Sequence, residues 1–434
     1  MESVAVGLFV VAFAAVAVRQ VVGRGPGIWA ILLVAGAATV ALGVLPPTAA
    51  LSTLVGERSV LLFLFALFVF VAALERSGVF EHLAYAGLSR VRERSSLPFL
   101  FFVGFGIVSA FVLNDALVLV GVPLVFAVAR RLDTDARPYL LVLAYAVTVG
   151  SVATPIGNPQ NLLVGLDAGF ADPAGVFVRY LAVPTAINLV VGGLYLRAAS
   201  RPPGAAAPNA PIAFPPVPFL PAGGWGRRLS RHPVLAIFPA TIAAVVGVDL
   251  YSGVTGVAGI PSYEIALLGA ALLLLLSPGR TAMLRRVDWS VLLLFVGLFV
   301  VVAGAVAGGL LSGVERLLPI PGPSAPPLAS IGSITVTSLL GSQLVSNVPW
   351  VALQIPLFHA LGYGAHAPVA WMALAAGSTL AGNLTLLGAA SNLIVVEQAR
   401  RRGISIRLGE FVRRGLPLAA ITTGILLVCL WAGI

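Results

Sequence analysis

Apolar runs of membrane-spanning length recur from one end of this sequence to the other, and no other feature limits the fold so strongly. About 17–25 apolar residues are what a helix needs to cross a bilayer. Runs of this character are read at Val4–Val18, Ile28–Val44, Ser59–Ala73, Pro138–Leu166, Val176–Leu196, Pro233–Val248, Tyr263–Ser277, Trp289–Leu311, Pro368–Ala399 and Leu416–Gly433. Backbone polar groups at that depth must be satisfied within the segment, so the expected fold is an all-α polytopic membrane protein. The composition agrees: 59% of the 434 residues are hydrophobic and only 10% charged, where soluble domains carry about 25% charge. The first run has neither a basic region before it nor a small-residue cleavage site after it, and is read as a retained span and not a signal peptide.

The net charge of +10 comes entirely from arginine, mostly in short loops. This pattern orients a membrane protein by the positive-inside rule and gives no reason to expect a nucleic-acid partner. A single cysteine, Cys429, excludes a disulfide framework, a thiolate metal site and a redox pair.

Two further apolar stretches, Leu97–Ala129 and Leu328–Leu361, are too long for one span, and each has an Asn near its middle. Arg90, Arg92 and Arg94 precede the first, and Arg130, Arg131 and Arg137 follow it. With both flanks on the cytoplasmic face, the stretch enters and leaves on one side, as a re-entrant hairpin with Asn114 and Asp115 at its tip. Counting onward, 167–172 fall outside, and Arg197, Arg280, Arg285, Arg286 and the run Arg400–Arg414 fall inside. No Arg follows the second stretch closely, so it is expected to be a hairpin entering from outside. The run Arg400–Arg414 suggests an interfacial helix on anionic lipid headgroups. The localisation expected from all this is the inner, cytoplasmic membrane, with many passes.

The Pro- and Ala-rich segment 200–232 reads as a cytoplasmic linker between two halves, 1–199 and 233–434. The halves match at offsets of 231–233 residues. Leu67-Phe68 with Val71-Ala72 matches Leu298-Phe299 with Val302-Ala303. Asn114 and Pro123 match Asn347 and Pro356, and Thr154, Gly157 and Asn161 match Thr385, Gly388 and Asn392. The arginine count runs Ser59–Ala73 inward and Trp289–Leu311 outward, so the repeats are inverted. Interrupted helices at corresponding positions of inverted repeats point to a transporter's substrate site.

The first interruption is Thr154-Pro155-Ile156-Gly157-Asn158-Pro159-Gln160-Asn161. Two prolines and a glycine so close together cannot continue a helix, and unwound backbone at membrane depth survives only where protein or water satisfies it. Its freed carbonyls suit a cation, and the N–H groups opening the next half-helix suit an anion. A simple proline kink would leave the neighbouring Asn, Gln and Thr unexplained. The second interruption, Gly382-Asn383-Leu384-Thr385-Leu386-Leu387-Gly388-Ala389-Ala390-Ser391-Asn392, lacks proline. Its small and polar residues would suit plain helix packing equally well, but its alignment with the first makes it a candidate site. The hairpin tips supply Asn114, Asp115, Ser346 and Asn347; Asn offers both donor and acceptor without the cost of a buried charge. Asp115 is the one ionisable residue between Arg94 and Arg130, and an intramembrane carboxylate is a functional group by default, here a sodium ligand or proton carrier. Glu75 and Arg76 read as a pair at a span end, Glu397 as a neighbour of Arg400, His359 as a packing residue and Trp289 as an interfacial anchor.

At these residues the chain resembles the ion transporter superfamily of arsenite permeases, sodium–proton antiporters and divalent anion–sodium symporters. Gly157-Asn158-Pro159-Gln160-Asn161 resembles the Gly-Thr-Pro-Pro-Asn break of the symporters, and Ser346-Asn347-Val348 their Ser-Asn-Thr tip with the threonine lost. Asp288-Trp289, Gly297-Leu298-Phe299-Val300-Val301 and Asn383-Leu384-Thr385-Leu386-Leu387-Gly388 are similar to the arsenite permease branch. The resemblance implies a homodimer whose transport domain moves as an elevator against a scaffold. It makes Asn114, Asn161, Asn347 and Asn392 site residues and candidate sodium ligands, with Thr154 and Thr385 in the breaks. The first tip reads Leu113-Asn114-Asp115 instead of Ser-Asn-Thr, a departure from the dicarboxylate symporters. No cysteine lies near the breaks to assist arsenic chemistry, which leaves hydroxyl contacts alone for As(OH)3.

The function expected is ion-coupled transport of a small anion or arsenite-like oxyacid, with sodium or protons as coupling ion and no other cofactor. Sodium–proton antiport on the same fold is the alternative. An intramembrane enzyme is disfavoured, since neither a His-Glu-x-x-His helix nor a second intramembrane Asp accompanies Asp115. A channel is disfavoured because inverted repeats suit alternating access.

Overall fold

The computed structural model describes residues 2–22, 25–80, 82, 94–200, 231–257, 259–318 and 320–433, and all regular secondary structure among them is helical. Chain order gives α1 (Glu2–Val22), α2 (Ile28–Ala41), α3 (Pro47–Gly56) and α4 (Arg58–Ser77), then α5 (Leu97–Ser109) and α6 (Asn114–Arg131). An interrupted helix follows, α7 (Arg137–Gly150) and α8 (Pro159–Asp167), and then α9 (Pro173–Ala199). The second half repeats the plan. It comprises α10 (Val234–Thr255), α11 (Ser262–Leu276), α12 (Arg280–Leu284), α13 (Trp289–Ala307) and α14 (Leu310–Leu317). Next come α15 (Pro327–Val345) and α16 (Asn347–Ala360), the second interrupted helix α17 (Pro368–Leu380) and α18 (Ala390–Arg401), and α19 (Leu408–Ala432). Six of the helices are long and apolar enough to cross a membrane: α4, α9, α10, α13, α15 and α19.

Both long apolar stretches are helical hairpins. The first turns between Ser109 and Asn114, the second at Ser346 between Val345 and Asn347. Ser346 adopts φ +71°, the left-handed region a side chain rarely enters, which lets one residue reverse the chain. Pro123 and Pro356 sit inside the returning arms at corresponding positions. Both are nine residues beyond the tip asparagine.

Packing follows the repeat. The first hairpin's entering arm α5 lies on α7 and α9, as α15 lies on α17 and α19. Helix α2 packs on α13, and α11 on α4. The returning arms then cross over, α6 against α18 of the other half and α16 against α8. Neither hairpin can therefore bury its inner face without the opposite repeat. At the α5–α7 crossing a Cβ on Gly150 would collide with the Gly106 carbonyl, so glycine there lets two backbones touch. Buried side chains lock the last helix to the first repeat: Tyr145 Oη donates to Phe411 O at 2.6 Å and Asn188 Nδ2 to Thr422 O at 3.1 Å.

The interrupted helices run in opposite directions. Gly169, just past the end of α8, lies 3.9 Å from Ala365, just before the start of α17, taking the position a Cβ would occupy. At the other face the Arg402 guanidinium, just past α18, sits 5.6 Å over the ring of Phe126, near the base of the first hairpin. The hairpin bases are thus at opposite ends of the bundle, as the arginine count requires.

Several boundaries differ from the sequence reading. The run Arg400–Arg414 is not one interfacial helix: α18 ends at Arg401, Gly403 turns at φ +82°, and α19 begins at Leu408. The apolar run Trp289–Leu311 breaks after Ala307 at a Gly-Gly pair and resumes as α14. Short α3, opened by Pro47, was not anticipated. Glu75 faces Arg286 at 3.8 Å, and Arg76 donates to Gly279 O at 3.3 Å. Glu397 holds both Arg400 and Arg401, at 2.8 and 2.9 Å. His359 packs on Trp371, ring centroids 5.4 Å apart, and Cys429 is buried in α19. Most of the expected linker, with Arg201, Arg227 and Arg228, lies outside the described residues, as do Arg90 and Arg92.

Opposite entry of the hairpins is directly measurable, because the one native cysteine is buried. Thr134→Cys at the base of the first hairpin and His366→Cys at the base of the second are both at exposed positions. A membrane-impermeant maleimide on intact cells should label His366→Cys and reach Thr134→Cys only after permeabilisation. Equal labelling from one side would overturn the inverted arrangement.

Candidate functional site

The centre of the bundle is built where the two interrupted helices unwind. In the first, α7 tightens into a 3₁₀ turn at Ser151–Ala153 and extends through Thr154. Asn158 then caps α8, its Oδ1 accepting the Asn161 N–H at 2.8 Å, with Pro159 in the first helical position. That sequence restarts the helix: the side-chain oxygen takes an orphan donor and proline gives up an N–H that would have had no partner.

The carbonyls freed at the break turn inward and are collected by one side chain. Asn161 Nδ2 donates to Ser151 O at 2.9 Å, Thr154 O at 3.1 Å and Val152 O at 3.3 Å. The second break uses its counterpart: Asn392 Nδ2 donates to Gly382 O at 2.6 Å and Thr385 O at 3.4 Å. Glycines make the loops this tight, since a Cβ on Gly157 would strike Ser151 O and one on Gly388 would strike Ala381 O. Thr385 opens the short turn after its break by accepting the Leu387 N–H at 3.1 Å.

Each hairpin tip docks on the break of its own repeat. Asn114 N–H donates to Gly157 O at 3.0 Å, and Thr154 Oγ1 donates to Ala110 O. In the second repeat Thr385 Oγ1 donates to the Gln343 side chain at 2.7 Å, while Gln343 Nε2 donates to Ala381 O at 2.8 Å. Gln343 occupies the position corresponding to Ala110, so a backbone carbonyl does in one repeat what an amide side chain does in the other. The tip asparagines open their returning arms and bond locally: Asn114 Oδ1 accepts from Asp115 N at 2.9 Å and Asn347 Oδ1 from Val348 N at 3.1 Å. Both Asn side chains are buried, and Ser346 Oγ donates to Asn347 Oδ1 at 3.3 Å. Asp115 is half-buried beside its tip.

The breaks also touch each other, through a residue the sequence reading passed over. Thr379, in the last turn of α17, accepts from Gln160 Nε2 at 3.1 Å and Asn158 Nδ2 at 3.3 Å, and lies 3.1 Å from Asn161 Oδ1. The second repeat thereby braces the first break. The reciprocal brace is missing. Thr148, equivalent to Thr379, donates to Ala144 O of its own helix at 3.0 Å. The positions equivalent to Asn158 and Gln160 are Ala389 and Ser391, whose side chains are shorter.

The consequence is a cluster of buried polar atoms around the second break that are unpartnered among the described residues: both amide atoms of Asn383, Ser391 Oγ and Asn392 Oδ1. All three residues are 0% exposed. Buried polar groups are nearly always hydrogen-bonded, and each one left bare costs about 1–3 kcal/mol. At the first break, by contrast, each amide atom of Asn158 and Asn161 has a partner, Asn161 Oδ1 sharing the Thr379 hydroxyl with Ala375 O of the same helix. Sequence reasoning proposed thirteen candidate residues but not this asymmetry, nor Thr379 and Gln343. The clue for Gln343 was present: it is the uncharged amide nearest the Ser346-Asn347 tip.

The pattern of the family described as Citrate transporter, CitMHS, matches residues 14–377 of the chain. The 46 kDa membrane protein of Mycobacterium leprae is 28% identical over 385 residues, covering 86% of each chain. The silicon efflux transporter LSI3 of Oryza sativa subsp. japonica is 28% identical over 413 residues, covering 83% of this chain and 84% of its own. Among solved structures, the Alcanivorax borkumensis YdaH transporter superposes with a TM-score of 0.59 at 17% identity, covering 89% of this chain and 87% of its own. That likeness supports the fold.

The bracing role of Thr379 predicts that Thr379→Val leaves the buried Gln160 amide without its acceptor, costing about 1–3 kcal/mol of stability. Thr148→Val, which loses only a bond within its own helix, should cost less. Thermal unfolding of the purified chain in detergent checks the ranking, and equal losses would contradict it.

Proposed function

Because the chain belongs to the CitMHS citrate transporter family and is a membrane transporter, we propose that it is an ion-coupled secondary transporter of a small, hydroxyl-rich oxyacid or its anion. The cargo is held at the second break by Asn383, Ser391 and Asn392 and enclosed by the hairpin tip at Ser346-Asn347. The observation that carries this reading is the unpartnered polar cluster. Two amide oxygens, an amide NH2 and a hydroxyl suit a ligand that presents both donors and acceptors. No Arg or His side chain is hydrogen-bonded into either break among the described residues, so a polyanion there would lack a counter-charge. A weakly acidic, neutral oxyacid such as arsenious or silicic acid needs none. The similarity to a silicon efflux transporter supports that class.

Sodium as a coupling ion also fits the second break best, since hard cations take oxygen donors and Asn392 Oδ1 and Asn383 Oδ1 are unused there. At the first break Asn161 Oδ1 already faces Thr379, and the freed carbonyls face the Asn161 NH2. Asp115, the carboxylate at the first hairpin tip, is assigned the coupled proton or a second sodium. Transport would proceed as an elevator, with the hairpins, interrupted helices, α9 and α19 moving against a scaffold of α1–α4 and α10–α13 in a homodimer. The halves 1–199 and 233–434 each supply part of both bodies. Sodium–proton antiport remains the second reading, favoured by Asp115 alone.

Proteoliposome flux separates these. Counter-flow of arsenite, silicate, phosphate and citrate is measured under a sodium or a pH gradient. The expected outcome is saturable uptake of a neutral oxyacid that falls about 5- to 150-fold in Asn383→Ala and Ser391→Ala, since losing a site-built hydrogen bond costs about 1–3 kcal/mol. Asp115→Asn should retain binding and lose the response to the gradient. Sodium-driven proton movement with no oxyacid flux would establish antiport instead.

A further inference from the structure

At the arginine-rich ends of α4, α10 and α11 lies a cavity of about 260 Å³, lined by Arg76, Arg231, His232 and Ser277 and by the first turn of α10 at Pro233 and Val234. One water takes roughly 30 Å³ in the liquid, so the space accommodates a phosphate group with its ester oxygens. Arg76 is exposed and tethered to the backbone of the α11–α12 turn. Its Nη1 donates to Gly279 O at 3.3 Å, and Gly279 turns there at φ +85°. A Cβ on that glycine would come within 2.8 Å of Arg76 Nη2, so the guanidinium lies directly on the bare backbone. The N-terminal end of α10 adds the positive pole of its helix dipole. The carboxylate of the cluster is Glu75, 3.8 Å from Arg286. Arg286 and Glu75 do not line the cavity, and the two guanidiniums that do, Arg76 and Arg231, make its lining cationic.

The wall next to the cavity is apolar and outward-facing. Helix α11 ends in Leu272, Leu275 and Leu276, respectively 47%, 74% and 58% exposed, directly before Ser277. A cationic cavity continuous with an exposed leucine surface matches a ligand with an anionic head and hydrocarbon tails. Basic pockets between helices on the arginine-rich side of a membrane protein recognise headgroups in this way.

We propose that this cavity binds the phosphate of an anionic phospholipid headgroup, with the acyl chains lying along Leu272, Leu275 and Leu276. The phosphate is held by Arg76 and Arg231 together, a bidentate fork on one side and a second guanidinium on the other. Inorganic phosphate shares the charge but gains nothing from the leucines. The site stands on the helices that bear none of the break residues, so it is independent of what the transporter carries.

The test uses the full chain, purified and delipidated in mild detergent, and reads thermal unfolding and bound lipid by native mass spectrometry. Phosphatidylglycerol should raise the melting temperature, and phosphatidylcholine should raise it much less. In Arg76→Gln/Arg231→Gln the affinity for phosphatidylglycerol should fall roughly tenfold or more, with one retained lipid lost per chain. Arg130→Gln/Arg137→Gln, the same charge change elsewhere on the same face, should keep both. Arg231 is exposed, so the single Arg231→Gln variant gives the same reading if the double variant fails to fold. Equal stabilisation by phosphatidylcholine, or an undiminished phosphatidylglycerol effect in the Arg231 variant, overturns the proposal. Inorganic phosphate that alone reproduces the arginine-dependent shift assigns the cavity to a soluble anion and overturns the lipid assignment.

Discussion

Two asparagine side chains make the centre of this protein possible. A helix interrupted at membrane depth exposes carbonyls with no water to receive them, and each such group costs several kcal/mol in hydrocarbon. Asn161 and Asn392 answer this by placing an NH2 inside each loop, where it collects carbonyls from the residues just before and within the break. Much else follows from that placement. The loops must curl tightly enough to bring those carbonyls to one nitrogen, which is why Gly157 and Gly388 meet the backbone where a Cβ would not fit. Once curled, each loop presents the surface on which a hairpin tip docks, through the Gly157 carbonyl in one repeat and Gln343 in the other.

The repeats share this device but not its consequences. Thr379 reaches from the second repeat into the first break and completes the hydrogen bonding of Asn158, Gln160 and Asn161. With Ala389 and Ser391 in place of the longer amides, the second break leaves polar atoms bare. A protein that buries such groups holds a free-energy cost that a bound ligand can relieve, which is how a site favours its loaded state. One break is thus braced by the opposite repeat, and the other is left with unpartnered polar atoms. Two-fold backbone geometry is kept while the side-chain hydrogen bonding of the two breaks differs.

Much of this was legible from residue order because the decisive interactions are local. Asn158 capping Asn161, and Asn161 reaching back to Ser151 and Thr154, span ten residues or fewer, and Thr154, Gly157 and Asn161 recur at one offset as Thr385, Gly388 and Asn392. The hairpins were legible from arginine placement, since charge at both flanks of an overlong apolar stretch decides which side it returns to. What escaped was long-range. Thr379 reaches residues more than two hundred positions away, and nothing in an apolar helix ending in Ser-Thr marks which face it turns to a neighbour. The arginine run 400–414 misled because charge pattern alone suggested continuity, whereas Gly403 in the left-handed region stops the helix within it.

The distribution of charge completes the physical picture. By the arginine count, most arginines fall at one end of the bundle. The unwound centre is built almost wholly from neutral amides and hydroxyls, which can bind without the desolvation penalty of a buried ion. Asp115 is the exception, placed at a hairpin tip and not in a break, beside a backbone that Asn114 ties directly to Gly157. A change of charge at Asp115 is therefore felt one residue away, at the contact that holds the first hairpin closed on its break.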